Sequence, residues 1–258
     1  MIGFFLKKAF FDGWDNMISL VVINLGYLVV LLSLYGSFSL MADSVAPAMV
    51  LLVVTVALHA FYSSAVNGLA HSMVKGRRAE FSEFLESLKQ LWKHALLLWA
   101  GELVMLTIAL FVIPFYLSLQ TILSLVLAIV LFWVVLILAF INLYYYPLAV
   151  QFPSDKPLKS AKKALVLVAD NLSLTIFLSV YQLILFALSI FLATIIPGIA
   201  GVAISRNAAM DLLMLKYDYL ESNPDADRKH LPWDELLYEE RERVGQRSLR
   251  SIIFPWKD

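Results

Sequence analysis

Long apolar runs separated by short polar turns dominate the first 217 residues of the chain. A helix needs about 20 apolar residues to cross the hydrocarbon core of a bilayer. Six runs approach or exceed that length, at residues 17–40, 46–69, 95–117, 122–145, 172–196 and 199–217. This pattern predicts an all-α, polytopic membrane domain at residues 1–217 with about six transmembrane helices. The polar character of residues 218–258 predicts a cytoplasmic tail.

Amphipathic segments precede several of the runs. In residues 80–94 the apolar side chains recur at helical spacing, so a charged helix leads directly into the third span. Residues 1–15 alternate aromatic and charged side chains and predict a helix lying in the membrane interface. Its aromatic residues are expected to face lipid: Phe4, Phe5, Phe10, Phe11 and Trp14. The fold predicted from these patterns is three hairpins fed by interfacial amphipathic linkers.

A short motif occurs twice. Lys7-Lys8-Ala9 precedes Asp15-Asn16 by the same interval at which Lys162-Lys163-Ala164 precedes Asp170-Asn171, and each copy leads into an apolar run. We expect the lysines to anchor an interfacial helix and Asp/Asn to cap the N-terminus of the following membrane helix. An internal duplication and chance similarity under shared physical constraints both explain the motif.

The N-terminal region also allows a second interpretation, a cleaved signal peptide. Basic residues precede an apolar run, and Ala46-Pro47-Ala48 resembles a cleavage site. However, residues 17–40 form a run longer than the apolar region of a signal peptide, which spans about 7–15 residues. The length favours an uncleaved first span.

Charge distribution predicts the orientation. Hydrophobic residues make up 61% of the chain and charged residues 16%, against about 25% charged in ordinary soluble domains. The turns near Asp43, Ser118 and Pro197 contain no lysine or arginine, whereas the other connections and the tail are basic. By the positive-inside rule, both termini are then cytoplasmic. The formal net charge of zero indicates no class of partner.

Several kinds of chemistry find no support in the sequence. The chain has no cysteine, and its four histidines (His59, His71, His94 and His230) show no H-E-x-x-H spacing, so neither a metal nor another cofactor is expected. No Walker lysine follows the glycines after Pro197, and no nucleophile motif is present. Basic and aromatic residues do not interleave in a soluble module, so nucleic acid is not an expected partner. We therefore expect no enzymatic activity.

Ionisable residues within the runs are the candidate site, because a charge in the bilayer core is costly unless it is paired or hydrated. The sequence predicts an intramembrane polar cluster in which Arg206 pairs with Glu102, with Asp211 and Asn207 nearby. One interpretation is an interhelical lock that holds the sixth span in place. The other is a proton or ligand relay in a cavity.

The chain also resembles a known group of proteins. The asparagine-bearing Ile23-Asn24-Leu25, residues 81–99 and residues 145–177 are similar to the YesL-like family of bacterial multi-pass membrane proteins, a domain of unknown function. The resemblance covers most of residues 1–217 and implies a bacterial cytoplasmic (inner) membrane location. It also implies a setting near carbohydrate-uptake transporters and supplies no catalytic or binding residue. The tail has no counterpart in that pattern.

The tail carries a candidate partner-docking patch. Its members are large and apolar: Trp233, Leu236, Leu237, Phe254 and Trp256. They are expected to dock either on the protein's own membrane domain or on a partner. Besides the lipid bilayer, the expected partner is a membrane transporter complex, and the sequence leaves the homo-oligomeric state open.

Two functional hypotheses follow. The first is a non-enzymatic accessory or regulatory component, linked to carbohydrate uptake. The second is a small-solute transporter or channel that uses the intramembrane cluster of Glu102, Arg206 and Asp211.

Overall fold

The computed structural model describes residues 1–228, 230–245 and 247, and this part of the chain is helical and contains no strand. The helices that lead up to or lie between the long spans are α1 (Ile2–Asp15) and α7 (Pro157–Asp170). The long helices are α2 (Met17–Met41), α3 (Val45–Val74), α4 (Phe81–Thr107), α6 (Ile122–Gln151), α8 (Leu172–Phe191) and α9 (Gly198–Ser222). The π-helical turn Ile108–Val112 and α5 (Ile113–Ser118) extend α4, and the tail contains α10 (Trp233–Leu236) and α11 (Tyr238–Val244).

Six of these helical segments are long and apolar enough to cross a membrane, which confirms an all-α, polytopic membrane protein. The third segment, Phe81–Ser118, is continuous, so the charged residues that precede the third span belong to the same helix as the span itself. The fifth helix is shorter than the apolar run, because α8 ends at Phe191 and residues 192–197 form a non-helical connection to α9.

Helix α9 is the centre of the bundle, although its sequence is the least regular of the six runs. Of its most apolar window 72% is buried, against 6% for Phe81–Ser118. It packs against α1, α2, α3, α6 and α8. Small residues at Ala200, Ala203 and Ala208 let neighbouring helices approach closely. Because protein rather than lipid surrounds α9, it can hold polar side chains that a lipid-facing helix could not.

Helix α1 packs one of its faces against the helix bundle. Phe5 is 0% exposed and Phe11 is 2% exposed, so the prediction that both face lipid is wrong. Phe5 packs edge-on against Phe177 and Tyr181 of α8. Of the remaining aromatics of α1, Phe10 and Trp14 are exposed, and Phe4 is partly buried against the core.

The repeated motif has the same geometry in both copies, α1–α2 and α7–α8. The side-chain amide of Asn16 donates to the carbonyl of Asp12 at 2.9 Å, and that of Asn171 donates to Leu167 at 3.1 Å. Each asparagine carbonyl then accepts the first amide bond of the next helix. Neither side chain caps the N-terminus of the membrane helix, so the predicted capping role is wrong. The two asparagines instead close the C-terminus of the preceding helix.

Candidate functional site

The four residues of the predicted intramembrane cluster do not come together. Glu102 and Arg206 form no direct ion pair, because α3 packs against both α4 and α9 and lies between them. Asn207 instead donates to Asn67 of α3 at 3.0 Å. Asp211 lies further along α9 and pairs with Lys75 at the end of α3. The cluster therefore divides into an intramembrane part and a part near the chain termini.

The intramembrane part is a polar line formed by Tyr27, His59, Glu102 and Asn142, which come from α2, α3, α4 and α6. The Tyr27 hydroxyl lies 2.6 Å from His59 Nδ1, and His59 Nε2 lies 3.5 Å from Glu102 Oε1. Asn142 donates its amide to the same oxygen at 3.4 Å. Glu102 is 8% exposed. Polar groups on α3 and α6 therefore hold a carboxylate within the membrane domain, and Tyr27 of α2 holds the histidine.

Arg206 of α9 interacts with the polar line electrostatically. Its Nε is buried and has no hydrogen-bond partner among the described residues, and its guanidinium interacts with the charge of Glu102. An arginine inside a membrane domain is costly to desolvate, and an opposite charge nearby reduces that cost. The two residues thus interact through space, without the contact that the sequence predicted.

The second part is a charged layer formed by Lys8, Asp12, Lys75, Asp211, Glu240 and Arg243. Lys8 is at its centre and is 0% exposed. Its ammonium nitrogen lies 2.7 Å from Glu240 and 3.4 Å from both Asp12 and Asp211. It also donates to the carbonyl of Val74 at 3.1 Å. Lys8 therefore contacts a carboxylate or carbonyl from α1, α3, α9 and α11.

The remaining contacts of the charged layer balance its charge. Arg243 lies 2.7 Å from Glu240 and 3.4 Å from Asp12, and Lys75 pairs with Asp211. Three cations thus face three anions. Since Glu240 and Arg243 belong to α11, this layer attaches the tail to the membrane domain.

Burial affects the pKa values of the two acids of the charged layer that lie outside the spans, Asp12 and Glu240. Desolvation raises the pKa of Asp12 from 3.8 to about 6, against the opposing effect of Lys8 and Arg243. Burial also acts to raise the pKa of Glu240, but hydrogen bonds from Lys8 and Arg243 outweigh it, so the pKa lies below its ordinary value. Asp12 is therefore the acid of this pair that protonates first as the pH falls.

The described apolar residues of the predicted docking patch, Trp233, Leu236 and Leu237, lie in α10 or directly after it. Leu237 is 0% exposed and belongs to the core, while Trp233 packs against that core and Leu236 is half-buried. Phe254 and Trp256 lie outside the described residues. Of the two alternatives, the described part of the tail docks on the protein's own membrane domain.

The break between α8 and α9 is held by hydrogen bonds to Asn24 of α2. Asn24 donates to the carbonyls of Ile195 and Pro197 at 2.8 Å each, and its oxygen accepts from the amide of Ala200 at 3.0 Å. Asn24 is the eighth residue of α2, about 12 Å from the start of that helix at 1.5 Å per residue. Asn24 satisfies backbone groups that lipid could not.

Sequence reasoning missed Lys8, His59 and Asn142 as members of these sites. Lys8 did carry a signal, since it lies three residues from both Phe5 and Phe11 and therefore on the buried face of α1. His59 and Asn142 are single polar residues in separate spans, and no spacing in the sequence connects either to Glu102.

Among the described residues, no group of three or more His, Asp or Glu side chains could hold a metal ion. Comparison with protein-family models matches no family, and comparisons with curated proteins and with solved structures find no similar protein.

Proposed function

We propose that this protein is a non-enzymatic accessory or regulatory component of a bacterial inner-membrane complex, with both termini in the cytoplasm. The observation that carries the proposal is the charged layer, which fixes α11 against the membrane domain. A tail held in this way gives the cytoplasmic side a defined surface rather than a free chain. The resemblance to the YesL-like family adds carbohydrate uptake as the setting of the complex.

The outer surface of the docked tail carries a cluster of acids. The exposed acids are Asp234, Glu235, Glu239 and Glu242, and the exposed bases are Arg241, Arg243 and Arg247. Arg241 pairs with Asp234 at 2.8 Å, whereas Arg243 and Arg247 pair with Glu240 and with Asp15 of α1, so Glu235, Glu239 and Glu242 form no ion pair with the described bases. An acidic surface is repelled by the anionic lipids of the cytoplasmic leaflet. It complements a basic surface on a protein partner, and such complementarity speeds association and selects partners.

Affinity capture of the full-length protein from native membranes tests this proposal. Wild type is expected to retain a membrane complex stoichiometrically, and the double variant Glu235→Lys/Glu239→Lys is expected to lose it. Glu86→Lys is the matched control, because Glu86 is an exposed acid on α4, remote in sequence from the tail. Recovery of the protein alone from all three membranes, or equal recovery of the complex with the double variant, would contradict the proposal.

The polar line supports a second candidate, a small-solute transporter or channel. A contact between a half-buried histidine and a buried carboxylate, with a tyrosine beside it, can pass a proton, and intramembrane ionisable residues commonly mark such paths. Asp211 takes no part in this candidate, since it belongs to the charged layer. Proton flux into liposomes containing the protein, compared with liposomes containing Glu102→Gln, tests it. Flux equal to that of protein-free liposomes would rule it out.

A further inference from the structure

A half-open pocket of about 180 Å³ lies between α4, α6 and α7. Its walls are mostly apolar and come from Leu97, Leu98, Met105, Leu138, Ile141 and Leu158. Gly101 borders the pocket, and a Cβ atom added there would meet no other atom within 4 Å. The pocket is therefore suited to an apolar chain.

One wall of the pocket is polar and has unused hydrogen-bond acceptors. Glu102 and Asn142 line it. Oε1 of Glu102 is occupied by His59 and Asn142, whereas Oε2 makes no hydrogen bond in the described chain and is not fully covered. A ligand in this pocket would therefore be held by donating a hydrogen bond to Oε2.

The surrounding charges determine the kind of donor. Arg206 balances the carboxylate from the far side of α3, so a cationic ligand would add an uncompensated charge to a region that is costly for charge. An anionic ligand would be repelled by Glu102 itself. A neutral donor avoids both penalties.

Depth excludes a large polar head group. Tyr145, which also lines the pocket, donates its hydroxyl to the carbonyl of His94 at 3.2 Å. The predicted third span begins at residue 95, so Glu102 lies seven residues inside it, about 10 Å from its start at 1.5 Å per residue. Taking a zwitterionic or phosphate head group to that depth would remove its hydration without replacing it. A single hydroxyl would lose little and gain the bond to Oε2.

We propose that this pocket binds a neutral amphiphile, an alkyl chain whose hydroxyl group donates to Oε2 of Glu102. The proposal does not depend on the accessory function, because the pocket is formed by α4, α6 and α7 and the tail takes no part in it.

Photo-crosslinking of the full-length protein in lipid nanodiscs tests the site. The probe is a long-chain primary alcohol with a diazirine in its chain, and the labelled peptides are identified by mass spectrometry. Labelling is expected within residues 97–105 and 138–145. Unlabelled alcohol is expected to compete at concentrations about tenfold lower than the amine or the fatty acid of the same chain length. The amine adds an uncompensated charge, and the ionised acid is repelled by Glu102 and has no hydrogen to donate to it. Equal or better competition by the amine or the acid would overturn the proposal.

Matched variants separate pocket binding from general partitioning into lipid. Gly101→Phe should place its ring in the open space beside Gly101 and abolish labelling. Val104→Phe adds the same ring to the same helix at a site that is 53% exposed and outside the pocket, and labelling should persist. Glu102→Gln should weaken binding about tenfold. Equal labelling of the two phenylalanine variants would overturn the proposal.

Discussion

Replacing Lys8 by methionine should destabilise the protein more than most surface substitutions do. Methionine keeps much of the side-chain volume but removes an ammonium group that contacts Asp12, Asp211 and Glu240 together. Removing one partner from a buried ion pair costs about 3–5 kcal/mol, because the remaining charge stays buried without compensation. Arg243 and Lys75 still face these acids, so we expect a loss near the lower end, about 3 kcal/mol.

Thermal unfolding in detergent micelles, followed by tryptophan fluorescence, measures the stability change, and limited trypsin digestion measures release of the tail. Lys89→Met is the control, because Lys89 is an exposed lysine on α4. Exposed substitutions of this kind usually change stability by less than about 0.5 kcal/mol. In Lys8→Met, cleavage in the tail should become faster while cleavage between the spans stays unchanged.

A double variant tests whether Lys8 and Glu240 act as one unit. Lys8→Met/Glu240→Gln removes both the positive and the negative partner of one ion pair, so neither is left buried without its partner. The loss of stability should therefore be smaller than the sum of the losses in the two single variants. Two results would contradict this role of Lys8. One is an unfolding temperature of Lys8→Met equal to that of the control Lys89→Met. The other is a loss of stability in the double variant equal to the sum of the two single losses.

Three further outcomes are expected. The folded-state pKa of Asp12, about 6, lies above its value of 3.8 in the unfolded chain, so its contribution to stability is full below 3.8 and is lost as the pH rises through about 6. The unfolding temperature of wild type should therefore fall between about pH 4 and about pH 6, and it should fall less steeply in Asp12→Asn. Gly68→Ala should cost about 1–3 kcal/mol in unfolding free energy, because the new Cβ would overlap Ser87, whereas Gly101→Ala should cost nothing; equal melting of both variants would refute this packing. Asn24→Leu leaves buried backbone groups of the α8–α9 connection unpaired and should lower stability by about 3 kcal/mol or more in the same assay.

The apolar pattern predicted the fold class and the number of long helices, because each span is a long apolar run that can be recognised in the sequence alone. The same pattern could not identify α9 as the central helix. A helix surrounded by protein needs small residues and tolerates polar ones, so its hydropathy, 1.2, is lower than that of α6, 3.2, although α9 is much more buried. From sequence alone, the low hydropathy of α9 suggested a poor membrane span. In the structure, the low hydropathy reflects the burial of α9 among the other helices.

The candidate site was predictable only in part, because pairing depends on which helix lies between two others. Glu102 and Arg206 were identified correctly as unusual residues within the spans, but α3 separates their helices, and His59 takes the place of Arg206 at the carboxylate. The sequence predicted Asp211 as part of the intramembrane cluster, whereas in the structure it belongs to the charged layer. Its position in the chain did not indicate this, since α9 continues well beyond the charged layer. The partners Lys8 and Lys75 come from the ends of other helices, and sequence spacing does not encode these contacts.

Crosslinking the tail to α1 in native membranes is the most direct test of the central claim, that the charged layer docks the tail on the membrane domain. The chain has no cysteine of its own, so Asp15→Cys and Arg247→Cys introduce the only two thiols, at side chains that lie 2.8 Å apart. A short bismaleimide should join them within one chain and produce a faster-migrating band. Asp15→Cys/Asp43→Cys should give no such band, because Asp43 lies beyond the far end of α2. Modification of both thiols at positions 15 and 247 without an intramolecular crosslink would contradict the docked tail and the cytoplasmic surface built on it.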